Sequence, residues 1–122
     1  MIKRILIVDD EDDVLTSMKM LVESMGYEAK TARSGKHALK LLKQKHFDLL
    51  LLDVIMPKMS GREVLENIRA NPKLRNQKVA FLTLVQLGQE GIKAIKKLKP
   101  VEYFQKPIYI TGFKKKLRKI LK

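Results

Sequence analysis

Five polar residues, far apart in this chain, each stand at or just beyond the end of a run that reads as a strand. Asp9 and Asp10 follow Ile5-Leu6-Ile7-Val8, and Asp53 follows Leu49-Leu50-Leu51-Leu52. Thr83 follows Val79-Ala80-Phe81-Leu82, and Lys106 follows Tyr103-Phe104-Gln105 and precedes Pro107. Three carboxylates, a hydroxyl and an ammonium in one crevice can hold a divalent cation and a phosphoryl group. Mg²⁺ takes oxygen ligands, commonly only one or two of them carboxylates. Asp10 and Asp53 suit that role, with Asp9 acting through water. Carboxylates crowded to about 5 Å repel by roughly 3 kcal/mol at an effective dielectric of 20, and a cation relieves that repulsion. An aspartate is also a competent nucleophile for an aspartyl phosphate. Such transfer is mostly positioning and charge neutralisation. Lys106 can neutralise one phosphoryl oxygen, and the Thr83 hydroxyl can donate to another.

These residues need elements that bring them together. Residues 3–8 read as a short buried strand. Val14, Met18, Leu21, Val22 and Met25 recur at helical spacing over 12–25, and Gly26 suits the stop. Residues 28–32 make a weaker strand. Ser34 caps a helix over 35–45 with Ala38, Leu41 and Leu42 inward. Residues 48–53 are the most apolar strand and the expected centre of the sheet. Met56-Pro57-Lys58-Met59-Ser60-Gly61 is a loop, after which Ser60 and Glu63 form a capping box. The helix it opens turns Val64, Leu65 and Ile68 inward and ends at Asn71-Pro72. Residues 78–83 are the fourth strand. Gly88 and Gly91 loosen the next helix, which turns Ile92, Ile95 and Leu98 inward and stops at Pro100. Residues 102–105 are the fifth strand. Thr111 or Gly112 begins the last helix, with Phe113, Leu117, Ile120 and Leu121 inward.

Five strand–helix repeats in alternation imply a parallel sheet with helices on both faces, an α/β three-layer sandwich. Right-handed crossovers leave few topologies, and a flavodoxin-like (βα)5 arrangement with order 2-1-3-4-5 is the natural one. It makes strands 1 and 3 neighbours and sets Asp9 and Asp10 beside Asp53. In such a sheet the residues beyond the carboxyl ends of the strands line one crevice.

Composition bounds the rest. The 122 residues suit one domain over 1–122, with no output domain after Lys122. There is no cysteine, hence no disulfide or thiol chemistry. No apolar stretch approaches the ~20 residues that span a bilayer, so a soluble cytoplasmic protein without membrane insertion is expected. The net charge of +13 is uneven: residues 1–61 hold ten cations against nine acids, and residues 62–122 hold sixteen against four. That excess is either a lysine-rich solvated surface or a face for an acidic protein, a nucleic acid or an anionic membrane. No aromatic residues interleave with the basic run, as single-strand nucleic-acid binding would favour. There is no P-loop motif. His37 and His46 read as surface residues, and Met18, Met20, Met25, Met56 and Met59 as core and loop packing.

Taken singly, each site residue has a plainer explanation. The acids from Asp9 to Asp13 equally well favour the start of the first helix. Asp53 alone is a strand-end Asx turn, Thr83 a strand residue, Lys106 a surface lysine. Their joint placement after strands 1, 3, 4 and 5 is hard to reach by accident.

The quoted elements resemble those of a receiver domain of two-component response regulators. They are Ile5–Glu11 with its acidic pair, Asp53-Val54-Ile55-Met56-Pro57-Lys58-Met59-Ser60-Gly61, Phe81-Leu82-Thr83, and Tyr103-Phe104-Gln105-Lys106-Pro107. The spacing D-x-x-M-P-x-x-x-G is specific by itself, and the resemblance covers essentially the whole chain. It implies that Asp53 is the phosphoacceptor, taking its phosphoryl group from a phosphohistidine on a sensor histidine kinase or phosphotransfer protein. It implies Mg²⁺ held by Asp10, Asp53 and the Ile55 backbone carbonyl, with Asp9 as the outer acid. Thr83 and Lys106 match the phosphoryl-sensing residues, and Tyr103 the aromatic switch. The Lys106-Pro107 bond is implied to be cis.

Two departures touch switching more than phosphorylation. Leu84 replaces a residue that is usually small, and Lys99-Pro100-Val101-Glu102 replaces a Gly-Ala-Asp segment. Ile55 and Val85, both apolar, occupy positions that tune hydrolysis in relatives and cannot orient an attacking water, which implies a long-lived phospho-form. The resemblance places docking on the fourth helix, fifth strand and fifth helix. Lys93, Lys96, Lys97, Lys99 and the Lys114–Lys119 run lie there, suiting an acidic downstream protein and a monomer or weak dimer. Two other readings compete. One is a Mg²⁺-dependent phosphohydrolase, which would need an acid where Ile55 stands. The other, less favoured, is a receiver binding nucleic acid through its basic C-terminal helix.

Overall fold

The structure is a computed structural model and describes residues 2–83 and 88–122, apart from the side chain of Thr83. Five strands, β1 (Arg4–Val8), β2 (Glu28–Ala32), β3 (Leu49–Asp53), β4 (Val79–Thr83) and β5 (Glu102–Gln105), alternate with five helices. The helices are α1 (Asp12–Ser24), α2 (Gly35–Gln44), α3 (Gly61–Ala70), α4 (Gln89–Lys96) and α5 (Ile110–Ile120). All the strands are parallel, in the order β2-β1-β3-β4-β5. This is the (βα)5 sandwich expected from the sequence.

Side chains alternate across the pleated sheet, so each strand feeds two cores. Leu6, Val8, Leu50, Leu52, Val79 and Phe81 pack with Ala38 and Leu42 of α2, Val64, Leu65 and Ile68 of α3, and Ile95 of α4. Ile5, Ile7, Leu49, Leu51, Ala80 and Leu82 pack against Leu15, Met18 and Val22 of α1 and Phe113 and Leu117 of α5. Covered on both faces, β3 is buried throughout, as its run of leucines requires. Edge strand β2 exposes Glu28 and Lys30 instead and buries only Ala29 and Ala32.

The start and stop signals act as read. The Ser34 hydroxyl accepts the His37 N–H, and Ser60 and Glu63 close a capping box. Gly26 takes φ +90° just beyond the C-cap of α1, a backbone state that a side chain disfavours.

Other expectations are corrected. Helix α5 begins at Ile110, earlier than Thr111 or Gly112, with Tyr109 as its N-cap. Ile92 is exposed, because α4 is short and turns only Ile95 fully inward. Helix α4 ends at Lys96, before Pro100; the chain turns through Lys99 at φ +54°. The residue before a proline is disfavoured in the right-handed helical region, so the helix ends upstream. Met20 is exposed, whereas Leu15, unmarked by the sequence pattern, is buried. Leu84 and Val85 lie outside the described residues.

Candidate functional site

Strand register assembles the site. Parallel pairing sets Val8 opposite Leu52, so Asp9 emerges beside Asp53. Asp53 lies opposite Leu82, and Thr83 opposite Gln105, one residue before Lys106. The four strand ends therefore share one edge, at the crevice where the strand order reverses.

One carboxylate oxygen from each of Asp9, Asp10 and Asp53 lies within 4.8 Å of the others. Asp9 is fully buried, and both its oxygens are engaged: Oδ1 accepts the Glu11 N–H at 3.0 Å and Oδ2 accepts from Lys106 Nζ at 2.9 Å. Lys106 Nζ stands 3.8 Å from Asp53 Oδ2. One ammonium thus bridges two buried acids 44 residues apart in sequence. Among the described residues Asp10 makes no hydrogen bond or ion pair. The Lys106-Pro107 bond is cis, as the resemblance implied.

Asp53 is also the Asx turn that its position alone suggests: Oδ1 accepts the Ile55 N–H at 3.3 Å. The plain explanation and the functional one coexist, since the turn orients the carboxylate. Burial pushes the Asp53 carboxyl up to about 6. The Lys106 ammonium and the Ile55 N–H hold it down, while the charges of Asp9 and Asp10 push it further up. The acid is thus buried, crowded and short of positive charge.

That donor set fits Mg²⁺. All three groups offer hard oxygen, and one oxygen of each lies within 4.8 Å of the others, near the roughly 4 Å that ligands opposed across the ion span. Since Lys106 already occupies Asp9, Asp10 and Asp53 are the less committed pair. Ile55 is exposed beside the site. Tyr103 is half-buried against the core, one strand beyond β4. The backbone of Thr83 ends β4 at the site edge, and its side chain lies outside the described residues.

Two structural roles are absent from the sequence reading, that of the motif glycine Gly61 and that of Arg69. Gly61 opens α3 directly behind Asp53, its N–H donating to the Val54 carbonyl at 2.8 Å. A Cβ at Gly61 would overlap the Asp53 carbonyl oxygen, so the glycine of D-x-x-M-P-x-x-x-G lets α3 pack onto the strand end that carries the acid. Arg69 donates to the carbonyls of Leu98, Lys99, Arg75 and Gln77, tying the α3–β4 loop to the turn after α4. In sequence it is one cation near a helix end, indistinguishable from a helix-dipole partner.

Residues 5–118 match the family described as response regulator receiver domain. The chain is 41% identical over 113 residues to a probable cyclic di-GMP phosphodiesterase of Vibrio cholerae serotype O1, covering 93% of this chain but only 25% of that protein. It is 33% identical over 114 residues to the polar-differentiation response regulator DivK of Brucella ovis, covering 93% of this chain and 91% of DivK. Among solved structures, chemotaxis protein CheY4 of Vibrio cholerae superposes with a TM-score of 0.91 at 26% identity, covering 99% of this chain and 100% of CheY4. Response regulator TrrA of Thermotoga maritima, solved in complex with Mg²⁺-BeF, superposes with a TM-score of 0.85 at 34% identity, covering 98% and 100%. The chain therefore belongs to the response regulator receiver domain family, the signal-receiving module of two-component systems. The phosphohydrolase and nucleic-acid readings are not favoured. No helix among the described residues is long and apolar enough to cross a membrane.

Proposed function

We propose that residues 1–122 act as one receiver domain whose phosphoacceptor is Asp53, and that it works as a switch, catalysing only its own phosphorylation and dephosphorylation. The observation that carries this is the convergence of Asp53 with Lys106, Asp9 and Asp10 at one strand edge. An Asp53 oxygen forms the new O–P bond to a phosphohistidine of a sensor histidine kinase or phosphotransfer protein. The N–P bond breaks, and its electron pair leaves with the imidazole nitrogen. Asp10, Asp53 and the Ile55 carbonyl would hold Mg²⁺, an ion with which the similar TrrA was solved. When bound, the ion supplies charge neutralisation between acids and phosphoryl oxygens. Lys106 then turns from Asp9 toward a phosphoryl oxygen, a short move given its 3.8 Å separation from Asp53.

Thr83 and Tyr103 serve as the switch pair, passing the change to α4, β5 and α5. That face combines Lys93, Lys96 and the α5 lysines with exposed Ile92, Val101, Tyr109 and Ile110. It suits an acidic protein partner with an apolar centre, met in the cytoplasm by a monomer or weak dimer. Apolar Ile55 cannot orient water toward the acyl phosphate, which favours a long-lived phospho-form. The test is incubation with Mg²⁺ and a small phosphodonor, read by intact mass. One phosphoryl group is expected on the wild-type chain and none on Asp53→Asn. An unmodified wild type, or an equally modified variant, overturns the assignment.

A further inference from the structure

The pole opposite the acidic cluster holds a second, differently charged feature. There the loops leading into β3 and β4, with the end of α5, enclose an open cavity of about 990 Å³. Lys3, Lys43, Lys45, Lys73, Lys78 and Lys122 line it. None of these lysines forms an ion pair among the described residues. Lys78 alone reaches a carbonyl, that of Ile120, at 3.5 Å. The acid in the lining is Asp48, whose carboxylate is already in use. It accepts the Arg4 N–H at 2.8 Å and meets His46 Nε2 at 3.3 Å.

The excess has a simple origin in the chain. Residues 33–47 and 67–89 contain no acid. The fold brings the end of the first segment against the middle of the second at this pole. Helix C-termini meet here too, and their carbonyl dipoles account for Lys43 in the last turn of α2. They account equally for Lys45, the C-cap of α2, but not for Lys73 and Lys78, which lie beyond α3 and its C-cap Asn71.

The lining also says what the cavity prefers. The lysines are the cations of the lining; no arginine offers the planar fork that pairs two-by-two with a carboxylate. Phe47 in the lining is buried, and the exposed ring there is the small imidazole of His46, which already meets Asp48 at 3.3 Å, so the six ammonium groups dominate what the cavity offers. Mobile ammonium groups around a concavity of small-molecule size suit several phosphate charges on one short ligand. We propose that this cavity binds a small molecule bearing two or more linked phosphate groups. Free inorganic polyphosphate and the phosphate tail of a nucleotide share that chemistry. The site is independent of Asp53.

The test is calorimetric titration of the full chain with inorganic tripolyphosphate, in magnesium-free, low-salt buffer. Saturable one-site binding that weakens steeply with salt is expected, with amide shifts in NMR confined to residues around Lys3, 42–48, 71–78 and 121–122. The double variant Lys45→Glu/Lys73→Glu should weaken binding at least about tenfold. The control Lys114→Glu/Lys115→Glu makes the same change of charge on α5, outside the lining, and should cost clearly less than the cavity variant, the gap widening as added salt shortens the screening length. Both variants alter exposed side chains, and a single cooperative thermal transition verifies that they fold. ATP binding as tightly as tripolyphosphate places recognition in the phosphate tail; tighter ATP binding names a nucleotide as the source. Asp53→Asn should bind unchanged, which separates this outcome from the phosphorylation test. Equal losses in the two charge variants, shifts spread over the basic surface, or no binding at millimolar tripolyphosphate overturn the site. So does displacement of tripolyphosphate by an acidic peptide or oligonucleotide that binds more tightly.

Discussion

At Asp53 the needs of stability and of reactivity pull apart. Its carboxyl, raised from 3.8 to about 6 by burial against the pull of Lys106, titrates higher folded than unfolded. The folded state therefore binds the proton more tightly. The stability this confers is fully present below pH 3.8 and is lost as pH rises through about 6. The loss approaches about 3 kcal/mol. Without Mg²⁺, urea midpoints should fall over that window, and Asp53→Asn should flatten the curve and be the more stable protein at pH 8. Added Mg²⁺ should stabilise wild type well above Asp53→Asn, since the ion binds the folded acid cluster. A wild-type midpoint that rises through the window contradicts this. Lys106→Ala removes the cation that holds the Asp53 value down, so a carboxyl-carbon NMR titration should place that value above 6. The same variant leaves buried Asp9 without its partner and should lose about 3 kcal/mol or more.

At the scale of elements, the site depends on how closely α3 approaches the end of β3. Gly61→Ala forces a methyl group into the Asp53 carbonyl, so either α3 or the strand end must move. The expected cost is about 1–3 kcal/mol. Because the displaced backbone carries Asp53, Mg²⁺ affinity read by thermal shift should fall as well. A destabilised variant with unaltered Mg²⁺ affinity would show that α3 alone yields. The lone signals that marked element ends, Ser34, Gly26 and the Ser60–Glu63 pair, act through one or two hydrogen bonds or one backbone state and so were legible. The start of α5 and the inward face of α4 were not. Those depend on what packs beneath, and a short helix with Ile92 exposed shows no clean periodicity.

At the scale of the molecule, 26 cations face 13 acids. The surface pairs bridge few of them and are mostly exposed, so their net worth is small. Repulsion among unpaired lysines should then dominate the salt response. Raising NaCl from about 20 mM to about 300 mM is expected to raise the Tm, as measured by calorimetry. A Tm that falls would mean that attractive pairs outweigh the repulsion. Arg69 works at this scale as well. By holding carbonyls in both the α3–β4 loop and the turn after α4, it makes the base of the proposed docking face continuous with the middle of the sheet.

The order of apolar runs and helical stripes was enough to determine the (βα)5 sheet, its strand order, and the sharing of one edge by Asp9, Asp10, Asp53 and Lys106. Periodicity and crossover handedness are properties of the chain itself. Tertiary structure alone decided that Lys106 bridges Asp9 and Asp53 and sits closer to Asp9, that Gly61 clears the Asp53 carbonyl, and that Arg69 gathers four carbonyls. It also decided that two acid-free stretches meet in one lysine-lined cavity. Distances of a few ångströms between segments remote in sequence come from packing, and packing leaves no local periodic signal.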